Sequence, residues 1–458
     1  MRKMSKILCV ICLIVIASTV LGGCGGTAKA PDQQAAASTV QPAAAASTVE
    51  EAAPAKPVTI RFSWWGADTR HKPYLATFEA YKKLNPNVTI EGEYQGFDGY
   101  QQKLMTQLAG GTAPDLMTID APWYPELAVK GDFFVDLNQQ DILDFSDIDQ
   151  KFVKDYGEFN GKMLGLPLGV NCTATIFNKT LADKLGIPTD IQYDWDTLLT
   201  EGKKLHDKDS NSYLLASDAG YLNGFVRAML KQQTGKQLFG DDYILGFTNE
   251  QLLVAFNWVK KAYDDGVLQP LGESSLFNAK GEQNPKWINQ QEVMVLDWNG
   301  LIVRYQSTLP KEIELTEGVY PKFKDSKDGA SLVRPIFLMS IKKTSENLDE
   351  ALKFANWYIN DKEAAVILGS AKGVPSTGAQ KNAAVEAGVI NKQLAVGLDL
   401  GLKNMGMKEN GVSTNTELAK IMTDQVSKVA FGMKPEEAVT ETMKLFESKL
   451  VQLKAAVK

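Results

Sequence analysis

From Val58 onward the chain alternates between two hydrophobic periods. Val58-Thr59-Ile60-Arg61-Phe62-Ser63 alternates with period 2 and is rich in β-branched residues, the pattern of a strand. Residues 72–84 follow as a helix, stopped before Asn85-Pro86 because the residue ahead of a proline is pushed out of the helical region. Val88 to Gly92 reads as a second strand, 97–109 as a helix closed by Gly110-Gly111, and Asp115 to Ile119 as a third strand. Strand–helix–strand–helix order requires parallel strands covered by crossover helices, so the chain is confined to an α/β class. The pattern begins again after Gly169, with strands at 173–177 and 213–216 and helices at 195–206, 222–233 and 249–265. Val293–Leu296 and Ile336–Ile341 read as late strands. From Leu348 the chain is nearly all helical, and Pro435 suits the first turn of the last helix.

Ahead of this lies a different kind of sequence. Arg2, Lys3 and Lys6 precede an apolar run, Ile7 to Leu21, too short for a transmembrane helix. A basic start, a short apolar core and small residues form a secretory signal. Leu21-Gly22-Gly23-Cys24 resembles a bacterial lipobox, which implies lipidation of Cys24 and anchoring at the outer face of the cell membrane; an ordinary signal with an incidental cysteine is the alternative. Residues 24–56 are then a tether of Ala, Ser, Thr, Pro, Gln and Gly, unable to bury enough surface to offset its ordering entropy. Removing Arg2, Lys3 and Lys6 takes 49 basic residues to 46 against 55 acidic ones, a mature charge of about −9. Such a surface excludes nucleic acid as a partner, since phosphate binding needs basic patches. Cys9 and Cys12 leave with the signal and Cys24 is acylated, so Cys172 stands alone and no intramolecular disulfide forms.

Ligands of open parallel sheets bind beyond the carboxyl ends of the strands. The first such end is Trp64-Trp65-Gly66-Ala67-Asp68-Thr69-Arg70. Indole rings offer flat faces that stack on the C–H face of a pyranose, and Arg70 offers a donor fork for hydroxyls or carboxylates. One tryptophan in the core and the other at the surface is the competing reading. Asp120, ahead of Trp123 and Tyr124, is either a hydroxyl acceptor or a helix cap. Trp298 follows an apolar strand with Asp297 and Asn299 beside it, and is either a sugar platform or a core side chain. Asp98, Asn171, Asn223 and Arg334 complete the candidate ligand contacts. Asp207 to Asn211, with Asp218 beyond, loosely resembles a calcium loop, but Ser212 stands where the turn needs glycine, so a polar turn is the better reading. With only His71 and His206, and no HExxH, Walker, GxSxG or paired CxxC pattern, no catalytic centre, metal or cofactor is expected. His71 stands either at the rim of the cleft or at a surface helix start.

Several of these segments together carry a resemblance. Phe62 to Gly66 with Arg70, Phe97-Asp98-Gly99-Tyr100-Gln101-Gln102-Lys103-Leu104, Ala109 to Asp115, Gly161 to Pro167, Gly169-Val170-Asn171, Val293 to Trp298 and Gly373-Val374-Pro375 resemble extracellular solute-binding proteins of family 1, the receptors of carbohydrate ABC importers. The resemblance implies a two-lobe, type II periplasmic-binding-protein-like α/β fold with a ligand cleft between lobes. Lobe one takes 57–168 plus 320–375, and lobe two takes 169–319 plus 376–458. It further implies an oligosaccharide ligand, an ABC permease as partner, a monomer, and an aromatic contact at Trp298. The competing functions are a lipid-anchored glycoside hydrolase or polysaccharide lyase, since Asp and Glu are plentiful, and a polysaccharide-binding adhesin.

Overall fold

The computed structural model describes residues 56–66 and 68–456. The signal segment, Cys24 and the tether up to residue 55 lie outside the described residues. Eleven strands are present in chain order: β1 (Val58–Trp65), β2 (Val88–Gln95), β3 (Leu116–Ile119), β4 (Glu158–Phe159), β5 (Lys162–Met163), β6 (Leu166–Asn178), β7 (Tyr213–Leu215), β8 (Glu292–Trp298), β9 (Leu315–Gly318), β10 (Val333–Ile341) and β11 (Val374–Pro375). Nine of them form one sheet in the order β2-β1-β3-β10-β6-β8-β7, with β9 and β11 also paired to β6; β4 and β5 form a separate hairpin. The α/β class read from the sequence is the class observed. β1 runs parallel to β2 and β3, and β7 parallel to β8, whereas the strands that return across the middle, β6 and β10, pair antiparallel with their neighbours.

β6 is the element on which this arrangement rests. Its thirteen residues are buried on both faces except at Asn171 and Thr173, and its Leu, Val, Ile, Ala and Phe side chains are those of a strand covered from both sides. The first half pairs with β10 and β11, the second half with β8 and β9. Two hydrophobic cores meet along it. One gathers Phe62, Trp64, Leu116, Leu166, Phe337 and Phe354; the other gathers Phe177, Trp195, Phe225, Phe256, Met294 and Phe446. The sequence marks a new strand only after Gly169, but the ribbon starts at Leu166 and runs straight through that glycine. Glycine is needed there for approach rather than for a turn: Gly169 faces Phe337 on one side and Pro375 on the other, and a methyl group would overlap the carbonyl oxygen of Lys372.

Two boundaries shift in ways that matter for the site. The first helix covers Asp68–Leu84 rather than starting at Lys72, with Pro73 inside it, so Arg70 sits on a helix and not on a loop. Trp298 is the last residue of β8 rather than the residue after it. Among the described residues no helix is long and apolar enough to cross a membrane.

Gly169→Ala is expected to lower the melting temperature by several degrees, because a backbone carbonyl must move to admit the methyl; overpacking of this kind costs about 1–3 kcal/mol. Gly96→Ala, with no atom within 4 Å of the added carbon, is the matched control and should melt close to the parent. Circular-dichroism melting separates the two.

Glu292, at the start of β8, is fully buried and neither of its carboxylate oxygens has a partner. Burial pushes its carboxyl from 4.5 up to about 8, against a small opposing pull from Lys286. The folded state therefore holds a proton that the unfolded chain gives up, and the stability contributed by that proton is lost as pH rises from about 4.5 to about 8. Glu292→Gln should show a flatter stability profile across this window by urea unfolding, with its advantage over the parent growing toward pH 8. A constant difference between the two at every pH would show that Glu292 does not titrate there.

Candidate functional site

The end of β8 is fixed by hydrogen bonds that leave it exposed to a cavity. Asn299 accepts the Cys172 N–H through Oδ1 at 3.1 Å and donates to the Leu394 carbonyl at 3.2 Å, while Asn171 Oδ1 accepts the Gly300 N–H at 3.1 Å. These reciprocal bonds clamp the turn after β8 against the centre of β6. Asp297 Oδ1 accepts the Trp298 N–H at 2.7 Å, and Tyr221 donates its hydroxyl to Asp297 Oδ2 at 2.5 Å, with the Tyr305 hydroxyl 2.7 Å from that of Tyr221. Burial raises the Asp297 carboxyl to about 6, with the Tyr221 bond pulling the other way.

Two cavities adjoin here. The first, about 190 Å³, is bordered by Thr173 of β6, Leu296 to Trp298, Gly329 to Leu332 and one face of the helix Ala219–Thr234, which presents Gly220, Tyr221, Gly224, Arg227, Ala228 and Lys231. The second, about 340 Å³, is bordered by Asp120 to Pro122, Tyr156, Phe159, Arg334, Pro335 and the 408–414 segment. Leu332 and Glu409 border both. Trp298 belongs to the first cavity and Arg334 to the second, and the guanidinium lies 4.5 Å over the indole centroid. The pair is thus a partition, apolar ring on one side and cation on the other.

The charges around the partition differ in their partners. Arg227 is bridged to Glu409 at 2.5 Å, and Lys231 faces Asp328 at 3.6 Å. Lys408 donates to the carbonyl of Asp155 and lies over the Tyr156 and Phe159 rings at 5.1 and 5.2 Å. Burial lowers the Lys408 ammonium below its ordinary value and raises the Asp120 carboxyl, the latter opposed by the charge of Arg334.

The structure therefore brings together Trp298, Arg334 and Asp120 at the cavities, with Asn171 holding the turn beside them. Asp120 precedes a short 3-10 turn, Ala121–Trp123, without a side-chain capping bond. The other candidates stand elsewhere. Trp64 is a core residue: it has no exposed surface and donates its indole N–H to His71 Nδ1 at 3.0 Å, which also takes His71 away from any rim. Tyr124 is likewise fully buried, stacked on Phe159 and hydrogen-bonded to Ser340. Arg70 spends its donors on the carbonyls of Ala371 and Trp65, lies over the Phe337 ring and borders neither cavity. Trp65 and Trp123 pack at 5.1 Å in an aromatic group with Phe97, Tyr100 and Phe337, beside the second cavity's wall but not in it. Asp98 is exposed ahead of the helix Tyr100–Ala109 and borders neither cavity. Asn223 falls just outside the helical arc that faces the first cavity and turns to the carbonyl of Ala419 instead. The 207–212 segment is a polar turn in which Asp209 accepts from Asn211 and Ser212, and Asp218 caps the helix that follows it.

Sequence reasoning missed Tyr156, Phe159, Tyr221, Arg227, Lys231, Lys408 and Glu409. A usable signal existed for the helix: small or polar residues recur at 220, 224, 227, 228 and 231 within an apolar segment. Lys408-Glu409-Asn410-Gly411 also stands out as a polar insert between helices.

Comparison with known proteins agrees with this architecture. The family of bacterial extracellular solute-binding proteins matches residues 67–365. A Brucella abortus (strain 2308) protein whose name calls it a binding protein is 25% identical over 209 residues, 43% of this chain and 48% of that protein. The chain thus spans about half the length of the curated relatives it matches. The periplasmic oligogalacturonide binding protein of Yersinia enterocolitica is similar at a TM-score of 0.72 with 25% identity, over 86% of this chain and 100% of that one. A second structure of that protein holds saturated digalacturonic acid, with a TM-score of 0.68, 26% identity and coverage of 86% and 99%. A chain described as a de novo designed cysteine esterase is similar at a TM-score of 0.77 with 26% identity, over 87% of this chain and 100% of that one. The fold shared with these structures is that of type II periplasmic binding proteins. With the family pattern covering β2 to β10 and both cavities lined by residues within or just beyond it, the chain belongs to the bacterial extracellular solute-binding proteins.

Proposed function

We propose that this protein captures an oligosaccharide outside the cell and hands it to the permease of an ABC importer. It is secreted through its N-terminal signal, anchored by lipid on Cys24 and active as a monomer. The observation that carries the reading is the partition itself: a half-buried indole at a strand end, flanked by hydrogen-bonding carboxylates and two adjoining cavities. Pyranose recognition needs this combination, because each ring has an apolar face to stack and an edge of hydroxyls to hold. The sugar-binding similarity to the Yersinia enterocolitica protein supports the same class of ligand, and points to fragments of plant polysaccharides.

Capture proceeds by closure of two lobes, 57–168 with 320–375 and 169–319 with 376–458, about the centre of β6. Binding without turnover fits the side chains present. Cys172, the one cysteine among the described residues, is buried, its thiol pushed up by burial, with Sγ against the carbonyl of Gly397. His71 is occupied by Trp64 and His206 lies beside Ser212, so neither serves that thiol as a base.

A thermal-shift screen over plant oligosaccharides, with product analysis on each hit, tests this. The expected result is stabilisation by short oligomers with no new reducing ends and no unsaturated products; turnover would replace the reading by a hydrolase or a lyase. For the oligomer found, Trp298→Ala should weaken binding about 5- to 150-fold, the equivalent of ~1–3 kcal/mol, while the ligand-free melting point barely moves. Unchanged affinity with a much lower melting point would make Trp298 a packing residue.

A further inference from the structure

Of the four cations around the two cavities, two are held in salt bridges and two are not. Arg227 has Glu409 and Lys231 has Asp328. Arg334 and Lys408 form no salt bridge among the described residues, and both border the second cavity. We infer that this second cavity is a carboxylate subsite, and that the captured sugar is acidic, carrying a uronic acid unit next to the unit stacked on Trp298. The inference rests on the sugar-capture reading above and deepens it.

The two cations are held for different parts of the task. The Arg334 guanidinium is fixed in plane by the indole beneath it, and a fixed planar fork matches a carboxylate with two parallel hydrogen bonds. Its backbone neighbours Val333 and Pro335 are buried while Arg334 itself is exposed, so the strand directs this one side chain outward. Lys408 is half-buried, with a carbonyl and two aromatic faces around its ammonium, no salt bridge and only the more distant charge of Asp155 to oppose it. Taking an ammonium out of water without an opposing charge is costly. A ligand carboxylate supplies an opposing charge that offsets the effect of burial on the Lys408 ammonium.

The carboxylates of the cavity do not remove the surplus. Glu409 is committed to Arg227, leaving Asp120 as the open acid against two cations. Asp120 is suited to accept ring hydroxyls beside the acid group. Arg70, the other candidate for an acidic ligand, borders neither cavity and holds two backbone carbonyls.

The experiment is calorimetry on the full chain in mild detergent, comparing digalacturonic acid with its methyl ester, which keeps the linkage and removes the charge, and with a panel of neutral plant oligosaccharides. The acid should bind at least tenfold more tightly than the ester. Lys408→Met should bring the acid-to-ester ratio close to one, and Lys408→Arg, which keeps the cation, should preserve most of the preference. Arg334→Gln should also lower the ratio. Equal affinity for acid and ester, or a preference untouched by Lys408→Met and Arg334→Gln, overturns the subsite. Binding of neutral oligomers with no response to the acid overturns it as well and leaves sugar capture standing. No heat from any sugar, acidic or neutral, overturns both.

Discussion

A single strand belongs to both hydrophobic cores, and almost everything else about this molecule follows from that sharing. β6 places Leu166, Leu168, Val170, Cys172 and Ile176 in the core around Phe62, and Phe177 in the core around Met294. At the middle of the ribbon Asn171 and Thr173 are only partly buried, unlike every other residue of β6. The space left beside that middle is where the cavities lie. Backbone there still has to satisfy its polar groups, and the asparagines at 171 and 299 do so by bonding across to the partner turn. The same bonds that terminate β8 therefore present Trp298 to the first cavity.

Electrostatics around the cavities show a division between charges that build the wall and charges that face the space. Arg227–Glu409 and Lys231–Asp328 tie the helix Ala219–Thr234 to the 328–332 and 405–414 segments. Lys231 further donates to the Met407 carbonyl at 3.0 Å, and Arg227 to that of Ser413 at 2.8 Å. Removing one member of such a buried pair strands the other, so these pairs hold the wall in one geometry. Asp297 serves a similar purpose through Tyr221 and Tyr305, a short chain of hydroxyls behind the indole that keeps the strand end from relaxing into the cavity.

How much of this was legible beforehand depends on the range of the interaction. β1 to β3 and the helices between them follow from local period and stop signals, and were placed to within a few residues. The position of Trp298 at a strand end is legible because an apolar strand announces its own end. Trp64 and Tyr124 were misplaced because adjacent aromatic residues at a strand end look alike in sequence, whereas pairing decides which faces inward; Trp64 points into the core with Phe62 while Trp65 joins Phe97 and Trp123. Asn223 lies one position off the helical arc that lines the cavity, because the rotation of that helix is fixed by tertiary packing, including that of Thr416–Ala430. Lys408 and Tyr156 were invisible because what joins them to Arg334 is tertiary: residues 156, 334 and 408 are brought together by β10 lying between β3 and β6 and by the bridge of Ser331 to Met405.

Arg334 is the one exposed residue between two buried neighbours on a strand that both cores need. Val333 and Pro335 are constrained by packing, while the side chain between them rests on the Trp298 indole and takes no part in either core. A lineage carrying this scaffold can thus change the charge at the wall of the second cavity by a single codon with little effect on either core. The chemistry of the cavity can drift while the architecture stays still, and chains with nearly the same backbone can come to present quite different cavity walls.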